Sequence, residues 1–254
     1  MSSYPPVHYF VVEKNRHHGE AIVKGFKADV VPAADRALRS GALHLIGGLG
    51  HGSLELMQHA RMSRYPYVFF DRAYFNGGPG TDRLRVVPDA YQKSWITENP
   101  SDRFLKTGVY LKPWRKDGAH IILVPPSKAV TALFDFGPLF ENMYWRLERL
   151  GRPVIVSEKG KDKASDHFEG AHCVVTWTSN VAVEAVCAGV PVFTSNHSAA
   201  APMAGMLENM ELNIDNPPMR DREAWAASLA YGEFDLSEIA SGFAAETIQR
   251  DARK

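Results

Sequence analysis

Thr178, Ser179 and Asn180 stand together where an apolar, β-branched run, His172 to Trp177, gives way to a stretch with helical spacing from Val181 onward. Hydroxyl and amide side chains of this kind cap helices. At the carboxyl end of a buried strand they, with the free N–H groups of a helix start, are placed to hold an anion. Glu184 comes four residues after Asn180 and so shares its helical face, where a carboxylate could accept hydrogen bonds from a ribose or sugar diol. The same residues also suit an ordinary capped crossover helix with a solvated glutamate. Asp71 ends the run Tyr67-Val68-Phe69-Phe70, so its carboxylate would project from a strand's carboxyl edge and could deprotonate an acceptor hydroxyl. Pairing with Arg72, or capping of the next turn, is the alternative. Tyr74 and Phe75 offer either a stacking surface for a ring or packing between domains. His51 lies in Gly47-Gly48-Leu49-Gly50-His51-Gly52, where the glycines, Gly48 and Gly50 among them, would let a ligand approach the backbone closely. From there His51 could act as a base, or stand as a solvent-exposed loop residue. The cluster lacks the Lys-Ser/Thr of a phosphate-binding loop and fits a dinucleotide fingerprint only loosely.

Positioning such groups takes alternating strands and helices, and the chain reads that way. Residues 9–12, 28–31, 43–46 and 67–70 read as strands, with helices over 19–26, 33–39 and 53–62, which implies a first doubly wound domain. An irregular stretch through Asn76-Gly77-Gly78-Pro79-Gly80 follows, with a short strand over 84–87. Regularity returns with strands over 120–124 and 153–156 around a helix over 137–150. The corner then forms a βαβ unit, ended by Ala188-Gly189-Val190-Pro191 before a strand at Val192-Phe193. Helices over 221–231 and 236–249 close the chain, and no sustained internal repeat is present.

The segment TSNVAVEAVCAGVPVF resembles the nucleotide-sugar-binding half of GT-B glycosyltransferases and of related bacterial capsule-export glycosyltransferases. It is similar also to a group of small phage and prophage proteins, on DRAYF at Asp71 to Phe75, SNVAVEAVCAGVPVF at Ser179 to Phe193 and DREAWAASLAYGEFDLSEIASG at Asp221 to Gly242. The resemblance implies an α/β fold of two Rossmann-like, doubly wound parallel-sheet domains facing a cleft. Residues 1–118 would bind the acceptor and residues 119–254 a nucleoside diphosphate sugar, used as co-substrate. The Ser/Thr-rich turn of residues 178–180 would hold the diphosphate and Glu184 the ribose. Ser127 would add a phosphate contact, and Lys159 or Lys161 would neutralise charge unless these are ordinary surface lysines. Asp71 would be the base with His51 in reserve, and Gly48, Gly50, Arg72, Tyr74 and Phe75 would line the acceptor side. The phage likeness points to a hydroxymethylated pyrimidine in DNA as acceptor, a base that must be extruded from the duplex, with Tyr74, Phe75 or Trp95 taking its place or stacking on it. A sugar-nucleotide epimerase of the same fold and a non-catalytic DNA-binding protein are the competing readings.

Composition narrows the class. With 254 residues, 45% of them hydrophobic, the chain can bury a substantial core, and no apolar run approaches the roughly 20 residues of a membrane span. The opening residues lack the basic start and long apolar stretch of a secretion signal, and Cys173 and Cys187 have no CxxC spacing, so reduced core thiols and a cytoplasmic location are expected. No tightly bound cofactor, membrane contact or particular oligomeric state is specified. No essential metal is expected, because His17 and His18 project differently on a helix and Asp162-Lys163-Ala164-Ser165-Asp166 lies in a charged loop. Residues 1–118 hold 17 Lys and Arg against 11 Asp and Glu, while residues 119–254 hold 12 against 18. That division fits a polyanionic partner, and equally a plain solvated surface or two halves held by opposite charge.

Overall fold

The computed structural model describes residues 6–10, 16–31, 37–50, 52–75, 81–137 and 139–251. The chain divides into two compact units, Met1–Tyr91 with Tyr231–Lys254, and Gln92–Ala230. The first unit opens with β1 (Val7–Phe10), α1 (Arg16–Phe26), β2 (Asp29–Val31), β3 (Leu43–Gly47), α2 (Ser53–Ser63), β4 (Tyr67–Arg72) and β5 (Arg83–Pro88). The second comprises α3 (Asp102–Lys106), β6 (His120–Val124), α4 (Lys128–Phe134), α5 (Leu139–Glu148), β7 (Val154–Val156), β8 (Ala171–Thr176), α6 (Val181–Cys187), β9 (Val192–Thr194), β10 (Gly205–Met206), α7 (Met210–Asn213) and α8 (Glu223–Ala230). The chain returns to the first unit with β11 (Glu233–Asp235), α9 (Leu236–Ala240) and α10 (Phe243–Asp251).

The first sheet has the order β11-β5-β4-β3-β1-β2. Strands β1 to β4 pair in parallel as expected, but β5 runs antiparallel to β4, and β11 antiparallel to β5. The expectation of a purely parallel sheet is therefore corrected. Only residues 73–82 link β4 to β5, too few for the helical crossover that a parallel neighbour needs, so the chain folds straight back. Tyr9, Leu45, Val68, Phe70, Leu84, Val86 and Phe234 form one face of this sheet's core with Ile22 and Phe26 of α1, Ile239 of α9 and Ile248 of α10. The expected single closing helix over 236–249 is also revised. Asp235 begins α9 with a full capping box, and Gly242, at φ +89°, separates α9 from α10. The helix expected over 33–39 lies largely outside the described residues, and Ala37–Arg39 have no regular structure.

The second sheet is wholly parallel, in the order β10-β9-β8-β6-β7. Ile121, Leu123, Cys173, Val175 and Phe193 pack on one side against Met143 and Leu147 of α5 and Met210 of α7. Ile122 and Val174, facing the other way, are buried too, as in a sheet covered on both faces. Each such aliphatic side chain contributes about 1.5–3 kcal/mol on burial. Cys173 and Cys187 are buried, unbridged thiols, and burial raises the pKa of both.

The cut expected between residues 118 and 119 falls inside the second unit. Residues 92–118 pack onto that unit: Lys93 Nζ bonds Ser228 O (3.1 Å), Arg103 Nε bonds Ala230 O (3.1 Å), and Lys112 N and Arg115 N bond Cys187 O and Gly189 O. Recounted along the real units, the charge division vanishes. The first unit holds 14 Lys and Arg against 13 Asp and Glu, and the second 15 against 16. The electrostatic hint of a polyanionic partner came from the position of the cut.

Candidate functional site

In the second unit, β7, β6, β8 and β9 are parallel neighbours, so the segments leaving their carboxyl ends share one edge of the sheet. The chain passes from β6 outward to β7 and then returns to the other side of β6 for β8, which makes β6/β8 the point where strand order reverses. Open α/β sheets hold ligands outside such a point. Residues 125–127 leave β6 there, and residues 177–180 leave β8. Hydroxyls lace the strand ends together: Thr176 Oγ1 donates to Val124 O (2.9 Å), and Thr194 Oγ1 and Ser195 Oγ donate to Trp177 O (2.6 and 2.8 Å).

The residues singled out from sequence occupy this edge in different states. Ser127 is exposed and caps α4, its Oγ accepting from Val130 N (3.3 Å), which leaves its own hydrogen for a ligand oxygen. Lys159 is exposed in the segment after β7, while Lys161 pairs with Glu158 at 2.7 Å. Asp162 shapes that segment, accepting from Ser157 Oγ and Glu158 N (both 3.1 Å) and pairing with His167 (2.8 Å). The hydrogen bond from His167 is the chief cause of its lowered pKa. It is bonded into the loop, where sequence suggested a solvated charge.

Thr178 is buried, Ser179 and Asn180 are half-buried and Glu184 is exposed on α6. The protein around Glu184 nonetheless desolvates its carboxylate and raises its pKa. One expectation needs correcting. The N–H groups of Val181, Ala182, Val183 and Glu184 are occupied within the corner, by Ser179 Oγ (3.2 Å), Ser179 O (3.0 Å) and Asn180 O (2.9 and 3.1 Å). The corner turns too tightly to leave first-turn amides free, so an anion here would meet hydroxyls or compete with Ser179 Oγ for the Val181 N–H.

In the first unit, β3 and β4 are parallel neighbours, and Gly48 N bonds Phe70 O (2.8 Å), which sets the glycine loop beside Asp71. Gly48 has φ +62°, and a Cβ on Gly48 or Gly50 would meet nothing within 4 Å, so the loop's backbone is open to approach. His51 lies outside the described residues. Asp71 Oδ2 accepts from Arg85 Nη2 (2.8 Å), across the ladder on β5, and Oδ1 accepts from the N–H of Arg72 (2.8 Å). Arg85 is buried among the rings of Phe69, Tyr74 and Tyr91, 5.1–5.8 Å from its guanidinium carbon. Arg72 is exposed. Tyr74 and Phe75, each 3% exposed, are core residues, which corrects their reading as an open stacking surface. Their N–H groups donate to Oε2 of Glu233 on β11 (2.8 and 3.0 Å), whose Oε1 accepts from Arg83 (3.1 Å). Burial lifts the Glu233 pKa to about 7 against these donors.

Among the described residues, His17, His18 and Asp82 bring ligand atoms within 4.8 Å of one another at the surface. The two histidine rings, expected to diverge, lie 4.1 Å apart, and they are the group that could hold a divalent ion. Sequence reasoning missed Glu233 and Gln92, whose partners lie far along the chain. It also passed over residues 195–200 after β9, although a polar run at a strand's carboxyl end was visible there. His197 in that run stacks on Phe134 at 4.3 Å.

No protein-family model and no curated protein sequence matches the chain. Among solved structures it is similar to KpsC of Thermosulfurimonas dismutans, described as a beta Kdo 2,7 transferase, with 15% identity and a TM-score of 0.51 over 95% of this chain and 99% of that one. A second structure, of KpsC from the same organism described as a beta Kdo 2,4 transferase, has 16% identity and a TM-score of 0.49 over 89% and 90%. Both neighbours are glycosyltransferases. The 2,7 transferase shares with this chain a mixed α/β fold, and among the described residues no helix is long and apolar enough to cross a membrane.

Proposed function

We propose that the chain is a glycosyltransferase that binds a nucleotide-activated sugar at the carboxyl edge of its second sheet and transfers the sugar to an acceptor hydroxyl. The observation carrying this reading is that Ser127 and residues 178–180 leave the carboxyl ends of β6 and β8, where strand order reverses, with Lys159 after the neighbouring β7 on the same edge and Glu184 exposed on the adjoining helix. The hydroxyls of Ser127 and Ser179 and the Lys159 ammonium supply hydrogen bonds and charge to a leaving phosphate, and Glu184 accepts from a ribose diol. Stabilising that leaving group carries much of the rate enhancement. The likeness to the 2,7 transferase supports this choice, and Kdo therefore joins the donors to be tried.

Asp71 is the base in this reading, needed if the sugar configuration is inverted by direct displacement. Arg85 and the Arg72 N–H orient its carboxylate, and each oxygen keeps a further lone pair for a hydroxyl proton. His51 is the reserve base, and Gly48, Gly50 and Arg72 face the acceptor. A hydroxymethylated pyrimidine in DNA stands as an acceptor on the sequence resemblance to phage proteins, without support from charge.

The test incubates the protein with a panel of nucleoside diphosphate and monophosphate sugars, with and without hydroxymethylated DNA or a glycan, and follows nucleotide release and acceptor mass. Acceptor-dependent release that Glu184→Ala abolishes supports the proposal. Conversion of the nucleotide sugar without an acceptor would make the protein an epimerase. Salt-sensitive DNA binding with no response to any nucleotide would make it a binding protein.

A further inference from the structure

We infer that Gln92 is a positioning residue for the nucleotide-sugar site, locking the corner after β8 to the loop after β9; this rests on the function proposed above. Gln92 is 1% exposed and begins the second unit. Its Nε2 donates to Thr178 O (2.8 Å) and to Asn180 Oδ1 (3.2 Å), and its Oε1 accepts from Ala199 N (2.7 Å). Both amide hydrogens and one oxygen lone pair are thus used, on partners 86, 88 and 107 residues away in sequence. Ser195 Oγ also crosses between the two segments, to Trp177 O at their base, whereas Gln92 reaches Thr178, Asn180 and Ala199 further out.

The geometry has two consequences. Thr178 and Asn180 flank Ser179, so fixing both ends of that three-residue turn fixes the direction of the Ser179 hydroxyl. Asn180 makes no side-chain cap on α6, and its amide oxygen is turned instead toward Gln92. On the other side, Ala199 is held by Gln92 at its N–H and by Trp225 Nε1 at its carbonyl (2.8 Å), which steadies the segment carrying His197. Two walls of the site, from neighbouring parallel strands, are laced at their base by the hydroxyls on Trp177 O and joined beyond it by one buried amide. In a low-dielectric interior such a bond is strong, and losing it leaves polar atoms without partners.

Gln92→Glu and Gln92→Ala separate this role from general stability. The glutamate keeps the shape and can still accept from Ala199 N–H, but offers Thr178 and Asn180 at most one hydrogen, when protonated, where the amide offers two. In Q92E hydrogen exchange should rise at residues 178–181 with residues 195–200 unchanged, and in Q92A it should rise in both. Nucleotide-sugar affinity of the folded protein should fall about tenfold in either, the scale of two lost hydrogen bonds. If Q92A does not fold, Q92E carries the comparison. Wild-type exchange in both loops, or unchanged affinity in a folded variant whose parent binds the nucleotide sugar, overturns the inference alone. A parent that binds no nucleotide sugar overturns the proposed function, and this inference with it.

Discussion

Replacing Gly189 with alanine tests how the end of α6, the helix behind the Ser179 corner, is fastened. Gly189 has φ +76°, and a Cβ there would sit 2.0 Å from Pro113 O and 2.9 Å from Pro113 C. Both atoms are backbone, so the strand of chain around Pro113 must move. That strand is tied down by Lys112 N to Cys187 O (2.8 Å), Arg115 N to Gly189 O (2.7 Å) and Arg222 Nη2 to Lys112 O (2.7 Å). Left-handed backbone costs an alanine about 1–2 kcal/mol, and displacing two of these bonds adds about 1 kcal/mol each, giving about 3–4 kcal/mol. Gly151 is the control, because it has φ +72° but nothing within 4 Å of its would-be Cβ. Gly151→Ala should show the left-handed cost alone. All five tryptophans, Trp95, Trp114, Trp145, Trp177 and Trp225, lie in the second unit, so urea unfolding followed by tryptophan fluorescence reports on that unit. Equal midpoint shifts for the two variants would refute the packing argument, since they would leave no contribution from Pro113.

The buried Glu233, raised from 4.5 to about 7 by desolvation, gives stability that is full below pH 4.5 and lost as pH rises through 7. Melting temperature should therefore fall over that window by the equivalent of roughly 3 kcal/mol, and Glu233→Gln should flatten the fall; an unchanged pH profile would count against it. Arg85→Met should destabilise by about 2–3 kcal/mol, because it strands the partly buried Asp71, and adding Asp71→Asn should restore part of the loss in circular-dichroism unfolding. Ser179→Ala should weaken nucleotide-sugar binding about five- to tenfold by calorimetry and lower stability in urea by about 1 kcal/mol, because it also removes the acceptor of the Val181 N–H.

Strands whose neighbours in sequence are also their neighbours in space could be read ahead of the structure. β6 begins and ends where expected, and β3, β4 and β8 differ by one or two residues, because a β-branched apolar run between turn residues leaves few alternatives. What escaped depends on distant partners. The antiparallel β5 and β11 follow from the short 73–82 link and from the return of the chain at residue 231, neither of which a local pattern encodes. The packing of residues 92–118 onto the second unit, together with that return, removes the apparent charge division. In the candidate site, residue types at strand ends singled out Ser127, Ser179 and Glu184 for trial, but could not show that Val181 to Glu184 have satisfied N–H groups. For Tyr74 and Phe75 a stacking platform and packing were equally open in the sequence; Glu233, 158 or more residues away, bonds their N–H groups where both side chains are buried.

The most direct measurement is a crystal structure with a nucleotide sugar bound. The account predicts phosphate density outside the carboxyl ends of β6 and β8, within hydrogen-bonding distance of the Ser127 and Ser179 hydroxyls, and a ribose on Glu184. Phosphate density at the glycine loop after β3 instead, with the corner at residues 178–180 empty, would contradict it.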